Sequence, residues 1–187
     1  MTSRKKILAI SGSTRENSSN QVILKFIAEN YGEELQIEIY QDLVNLPFFN
    51  PDLDKEEVPV TVKAFRERIQ QSDGIIICTP EYVYSLPGIL KNAIEWTVST
   101  TLFSNKPMAL ITASASGEKA HESLLLVMKT LYARVDENTC LLINGVKGKV
   151  TNSGEIADEK TAKDIKRMVD HFSQILNNPL IEKQSHD

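Results

Sequence analysis

Gly74-Ile75-Ile76-Ile77-Cys78 is an unbroken apolar run of strand length, entered from the polar turn Ser72-Asp73 and left through Thr79-Pro80. A strand that is apolar at every position has no wet face, so it must be covered on both sides. Its neighbours supply the cover. Before it, Val62, Phe65 and Ile69 recur at helical spacing, and that helix stops near Ser72-Asp73-Gly74; after it, Gly88 to Val98 reads as another helix. Further out the alternation continues. Lys6 to Ile10 is a first strand and Asn20 to Asn30 a helix, with Ile23, Phe26 and Ile27 inward. Leu35, Ile37 and Ile39 alternate with Gln36, Glu38 and Tyr40, a strand with one wet face and therefore an edge strand. Met108 to Ala113 and Cys140 to Val146 are the fourth and fifth strands, and Ala120 to Ala133 and Asp158 to Leu176 the last two helices.

Five strands alternating with five helices predict a doubly wound α/β fold, a flavodoxin-like parallel sheet with helices on both faces. The amphipathic second strand at an edge fits the order 2-1-3-4-5; the Rossmann order is the rival, and it lacks its usual sixth strand here. The 187 residues suit one domain, 1–187, with its core in about 5–176 and a tail in 177–187. The loop from Leu43 to Val58 is long and is expected to wrap a sheet edge.

Apolar residues make up 41% and charged residues 25% of the chain, values of a soluble globular protein rather than a disordered one. The net charge of −4, with no basic run, argues against a nucleic-acid partner. No membrane-length apolar stretch and no signal-peptide pattern is present, and Cys78 and Cys140 read as buried thiols. Together these predict a cytoplasmic protein with no membrane partner.

In such a sheet ligands bind beyond the carboxyl ends of the strands, where the first and third strands diverge. Three loops lead there. The first, Ser11-Gly12-Ser13-Thr14-Arg15-Glu16-Asn17-Ser18-Ser19-Asn20, is dense in hydroxyls and opens directly into a helix, whose N-terminus is an anion site. Gly12 allows a turn that most side chains would obstruct, and Arg15 offers a two-pronged charged contact. No Walker lysine and no G-x-G-x-x-G pattern follow, so a single phosphate monoester is the best fit; a plain Ser-rich turn capped by Asn17 or Ser19 is the bland reading. The second loop, Thr79 to Gly88, carries Tyr82 and Tyr84 between Pro80 and Pro87. Flat side chains suit a planar ligand, or else they merely cover the sheet end. The third, Ala113-Ser114-Ala115-Ser116-Gly117-Glu118-Lys119, is small enough for backbone to approach a ligand. His121, just beyond it, is either a proton donor or a solvated residue of a helix first turn, and the second of these is expected. His171 and His186 read as surface and tail residues. No Cys/His cluster has metal-ligand spacing and no G-x-S-x-G elbow occurs, so no metal is expected.

Taken together, the loops resemble the NADPH-dependent FMN reductase family, which includes chromate, quinone and azo-dye reductases. The family pattern G-S-x-R-x-x-S-x-N is met by Gly12, Ser13, Arg15, Ser18 and Asn20. The pattern P-E-Y-N-x-S-x-P-G-x-L-K-N-A-I-D-W is met by Pro80 to Trp96, which reads P-E-Y-V-Y-S-L-P-G-I-L-K-N-A-I-E-W. Leu46 to Asp52 is similar to the family's loop after the second strand, and the likeness spans about residues 5 to 150. Val83 departs from the family asparagine, and Glu118 from a second glycine. The resemblance implies FMN as cofactor and NAD(P)H as co-substrate. Ser11, Ser13, Thr14, Arg15, Ser18, Ser19 and Asn20 would surround the phosphate and ribityl start; Pro80, Glu81, Tyr82 and Val83 would line the ring; Ser114, Ser116 and Gly117 would meet its other edge. Glu81 has a second reading, as a cap on a neighbouring helix. The implied activity passes a hydride from NAD(P)H through bound FMN to a small-molecule acceptor: a quinone, an azo compound, a metal oxyanion or free flavin. No protein side chain is expected to be the catalyst, because the cofactor carries the chemistry. The alternative is an electron-carrier protein of flavodoxin type. The helix Ala120 to Ala133, with Leu124-Leu125-Leu126-Val127-Met128, Leu131 and Tyr132, is wider in apolar surface than one stripe requires, which predicts a homodimer or homotetramer.

Overall fold

The structure is a computed structural model and describes residues 4–55, 57–151 and 154–178. Five strands, β1 (Lys5–Ser11), β2 (Leu35–Tyr40), β3 (Gly74–Thr79), β4 (Pro107–Ala113) and β5 (Arg134–Ile143), form one sheet, all parallel, in the order β2-β1-β3-β4-β5. The helices are α1 (Ser19–Tyr31), α2 (Val60–Gln71), α3 (Gly88–Glu95), α4 (Glu118–Thr130) and α5 (Glu159–Asn177). The flavodoxin-like order expected from the wet second strand is the one observed, with β2 at an edge.

The pleat explains the unbroken apolar strands. Successive side chains point to opposite faces, so Leu8 and Ile10, Ile75 and Ile77, and Met108 and Leu110 enter one core with α2, α3 and α4. Ile7 and Ala9, Ile76 and Cys78, and Ala109 and Ile111 enter the other with α1 and α5. Every residue of β3 is buried. Full burial of an aliphatic side chain of this size contributes about 1.5–3 kcal/mol, so the central strands carry much of the fold's stability.

Several elements differ from expectation. α3 ends at Glu95 rather than Val98, closing in single turns through Thr97. β5 begins six residues earlier than Cys140. Its first half contains a bulge, where the register with β4 slips between Met108 and Leu110. Thr139 fills the bulge: its hydroxyl lies 2.8 Å from the Met108 carbonyl and 2.9 Å from the Asp136 carbonyl. The polar run Asp136-Glu137-Asn138 sits at this irregularity, which is why the strand is hidden in the sequence. The long loop is tied to α3: Asn92 Oδ1 accepts from Phe49 N–H (2.7 Å), and Asn92 Nδ2 and Trp96 Nε1 both donate to the Pro47 carbonyl (3.0 and 2.7 Å). Arg66 reinforces the tie through Asp54 and the Trp96 carbonyl. Cys78 is fully buried, but Cys140 is only half-buried, at the bulge; burial pushes the Cys140 thiol up to about 11. His171 lies half-buried on α5, and the expected tail beyond residue 178, with His186, lies outside the described residues. Among the described residues no helix is long and apolar enough to cross a membrane.

Candidate functional site

The crossover from β1 goes to α1 on one face and the crossover from β3 goes to α3 on the other, so the loops after these adjacent strands part at the sheet's carboxyl edge. Gly12 begins the first loop against β3. Its N–H donates to the Cys78 carbonyl (2.8 Å), and a Cβ placed there would lie 2.2 Å from Thr79 Oγ1 and 2.8 Å from Thr79 Cβ. The glycine is therefore required by close approach, not by a left-handed backbone. Ser11 Oγ folds the turn by accepting from Ser13 N–H (3.2 Å) and donating to the Ser13 carbonyl (3.1 Å). The cap of α1 is Ser18, neither Asn17 nor Ser19: Ser18 Oγ accepts from Gln21 N–H at 3.2 Å. Asn17 takes the left-handed conformation (φ 54°) that turns the chain into the helix. Asn20 is buried beneath this turn. Its Nδ2 donates to the Ala113 carbonyl (3.3 Å) and its Oδ1 accepts from the Cys78 thiol (3.2 Å), so it fastens the first loop to β3 and β4 together.

The second loop leaves β3 through buried Pro80. Glu81 then turns away to α4, where its Oε2 accepts from Ala120 N–H (3.0 Å) and its Oε1 from Ser116 Oγ (3.3 Å). The Ala120 N–H, helped by those of Gly117 and Lys119, holds the carboxyl below the usual range. The capping reading of Glu81 is the one observed. Gly117, at φ 102°, starts α4 without a side-chain cap of its own, which Glu81 supplies from the neighbouring loop. Tyr82 to Ser85 closes a two-residue turn, with Tyr82 N–H donating to Ser85 O (3.0 Å) and Ser85 N–H to Tyr82 O (3.1 Å).

The third loop is bound to the segment after β5. Gly145 N–H donates to Ala115 O (3.0 Å) and Val146 N–H to Ser114 O (3.1 Å). Glu118 accepts from Asn144 Nδ2 at 3.0 Å, so this family departure cross-links two loops rather than facing the cavity. His121 is half-buried, not solvated. Its Nδ1 lies 3.0 Å from Thr112 Oγ1, and burial lowers its pKa.

Between these loops lies a cavity of about 410 Å³, lined by Ser13, Arg15, Ser18, Ser19, Asn20, Pro80, Tyr82, Ala113, Ser114, Ala115, Gly145, Val146 and Lys147. A pocket of about 300–1,000 Å³ is the usual size for a small cofactor. Its walls hold two cations and no carboxylate, and the α1 N-terminus opens on it. The lining thus offers donors for an anion, while Pro80, Tyr82 and Ala113 offer apolar surface. That donor set fits a flavin mononucleotide, with a phosphate at one end and a flat ring at the other. Of the residues expected here, Ser11, Thr14, Glu81, Val83, Ser116 and Gly117 do not line the cavity. Ser11, Glu81, Ser116 and Gly117 shape or brace the loops that do, and the Val83 side chain points to solvent. Gly145, Val146 and Lys147 line it without having been expected. Their signal in the sequence was a glycine just past the fifth strand, at the ligand end.

A parallel sheet of this order with an anion-and-ring cavity at its switch point defines a flavodoxin-like mononucleotide-binding protein. Residues 5–146 match the family described as NADPH-dependent FMN reductase, and the chain belongs to it. The NADH:(hydroxy)cinnamate reductase subunit CrdA of Vibrio ruber is 31% identical over 171 residues, covering 88% of this chain and 84% of that one. A quinone reductase of Escherichia coli is 27% identical over 183 residues, covering 94% and 97%. Among solved structures, the NAD(P)H:(acceptor) oxidoreductase FerB of Paracoccus denitrificans is similar with a TM-score of 0.76 at 26% identity, covering 94% of this chain and 98% of that one.

Proposed function

We propose that this chain is an FMN-dependent NAD(P)H oxidoreductase of the cytoplasm, a single domain that reduces a small acceptor: a quinone, an azo compound, a metal oxyanion or free flavin. The observation that carries this is the cavity at the sheet's switch point, whose lining combines two cations and a helix N-terminus with apolar surface. Family membership and reductase relatives favour an enzyme over an electron carrier. Bound FMN supplies the hydride chemistry. The chain supplies the binding: Arg15 and Lys147 with the hydroxyls of Ser13, Ser18 and Ser19 take the phosphate, and Pro80, Tyr82 and the Ser114–Ala115 backbone take the ring. Overall, NAD(P)H, a proton and a quinone give NAD(P)⁺ and a hydroquinone. Unpaired thiols at Cys78 and Cys140 agree with a reducing compartment.

The same reading includes a homodimer or homotetramer. α3 and α4 leave between them a groove of about 290 Å³ with an apolar floor of Ile94, Val98, Leu126, Val127 and Leu131, rimmed by Lys91, Glu95 and Thr130, and Leu126 is 68% exposed. A second copy would cover that face.

The test is the visible spectrum of the purified protein followed by anaerobic NAD(P)H. A yellow protein that bleaches on NAD(P)H and recovers with menadione is expected. A colourless protein that does not quench the fluorescence of added FMN overturns the reading.

A further inference from the structure

Some residues of the flavin cavity have a second neighbour. Arg15, Ser19 and Lys147 also line a larger cavity, of about 680 Å³, bounded by α1 and the segment after β5. Lys25 and Glu29, four residues apart on α1 and so on one face of it, form the helical wall, and Glu155 lines the cavity from the segment after β5. The cations here are not matched by contact. The spacing of four gives an ion pair between Lys91 and Glu95 and between Lys166 and Asp170, but none between Lys25 and Glu29. Among the described residues, Arg15 and Lys147 form no ion pair either. Three cations therefore converge on one cavity without a direct counter-ion, and two of them also line the space proposed for the flavin.

On the proposed function above, we infer that this second cavity is an adenylate subsite, so that the chain takes FAD as well as FMN. FAD is FMN whose phosphate carries AMP through a pyrophosphate link. A site closed around the phosphate monoester would reject it; here the residues that take the phosphate open directly onto further space, of the size of a small-molecule site. The charge fits as well. An FMN phosphate carries about two negative charges at neutral pH, whereas the pyrophosphate of FAD spreads the same total over two phosphates. Arg15 and Lys147, which line both cavities, can serve both phosphates, and Lys25 adds a cation that the flavin cavity itself lacks. The carboxylates of Glu29 and Glu155 accept hydrogen bonds from ribose hydroxyls, the use to which acidic residues are put in other nucleotide sites.

The experiment is calorimetric titration of the full chain, freed of flavin, with FMN and with FAD at low ionic strength, in wild type, Lys25→Glu and Lys25→Arg. Lys25 is exposed and lies outside the flavin cavity, so its replacement tests the second cavity alone. Wild type is expected to bind FAD within about tenfold of FMN. Lys25→Glu is expected to weaken FAD by about tenfold, the scale of one charge-assisted contact, and FMN by about twofold at most. Lys25→Arg, which keeps the charge, should bind both flavins as wild type does. FAD bound more than about tenfold more weakly than FMN by wild type overturns the inference and leaves the FMN enzyme standing. Equal losses of FMN and FAD in Lys25→Glu also overturn it, because the adenylate then contributes nothing at Lys25. So does a Lys25→Glu protein that binds FAD normally but shows a raised KM for NADPH, which would assign the cavity to the co-substrate. A wild type that binds neither flavin removes the reading beneath the inference together with it.

Discussion

Gly12→Ala is the sharpest single perturbation of the site. An added Cβ would stand 2.2 Å from Thr79 Oγ1, 2.8 Å from Thr79 Cβ and 3.2 Å from Leu90 Cδ2. Rotation of the Thr79 hydroxyl relieves the first contact but not the second, because that carbon is fixed to the central strand. Thr79 is fully buried and the Gly12 N–H is bonded to Cys78 O, so the first loop and β3 must separate by several tenths of an ångström. Overpacking of this kind costs about 1–3 kcal/mol. For a chain of this length each kcal/mol is about 2–4 °C in Tm, so a fall of about 2–12 °C is expected. The same displacement moves Ser13 and Arg15 off the cavity, and FMN affinity should drop by about tenfold or more, since misplacement of about 1 Å costs up to about a hundredfold in a catalytic geometry. Differential scanning calorimetry and FMN fluorescence quenching read the two effects. Gly88→Ala is the control: no atom lies within 4 Å of its added Cβ, and its backbone is not left-handed. Equal Tm and equal FMN affinity in Gly12→Ala and wild type would refute the close-approach argument, and a comparable loss in Gly88→Ala would refute its specificity.

Arg15→Ala should weaken FMN about 10- to 100-fold and leave riboflavin, which has no phosphate, nearly unchanged, as paired titrations will show; equal losses for both would instead indicate damage to the ring site. Glu81→Gln should flatten the acid limb of stability. The folded carboxyl is depressed, so its contribution is present above the unfolded value near 4.5 and is lost as pH falls through the folded one. The Tm difference between wild type and Glu81→Gln should thus be largest near neutrality and shrink below about pH 4; a gap that is constant with pH would argue against the charge. Leu126→Asp should reduce the light-scattering mass to that of one chain by placing a charge in the α3–α4 groove, and a wild type already monomeric at micromolar concentration would reject the oligomer. Steady-state kinetics with NAD(P)H and menadione should give parallel double-reciprocal lines, donor and acceptor taking turns on one ring face, whereas intersecting lines would require both to be bound at once.

The sequence by itself determined the topology. Apolar runs with no polar partner, such as Gly74 to Cys78, can only be central strands, and the alternation at Leu35 to Tyr40 can only be an edge, because the pleat has period two and each face sees one environment. It also pointed to where the cavity opens, since ligand-end loops follow from strand order, and to the first-loop part of its lining. Residue roles were decided by tertiary contacts. Asn20, Asn92 and Trp96 stand in motif positions yet face inward, one joining the ends of β3 and β4 and two tying down the loop after β2, because each bonds to backbone brought near only by folding. Glu81 points to α4 because an uncapped helix N-terminus lies beside it in space, 39 residues on in the chain. His121 lost its solvent to Thr112 in the same way. Lys147 reached the cavity only because Gly145 and Val146 pair with the third loop. Periodicity records which face of its own element a residue occupies. Which neighbouring chain segment meets that face is fixed by packing, and the chemistry of this site depends on those meetings.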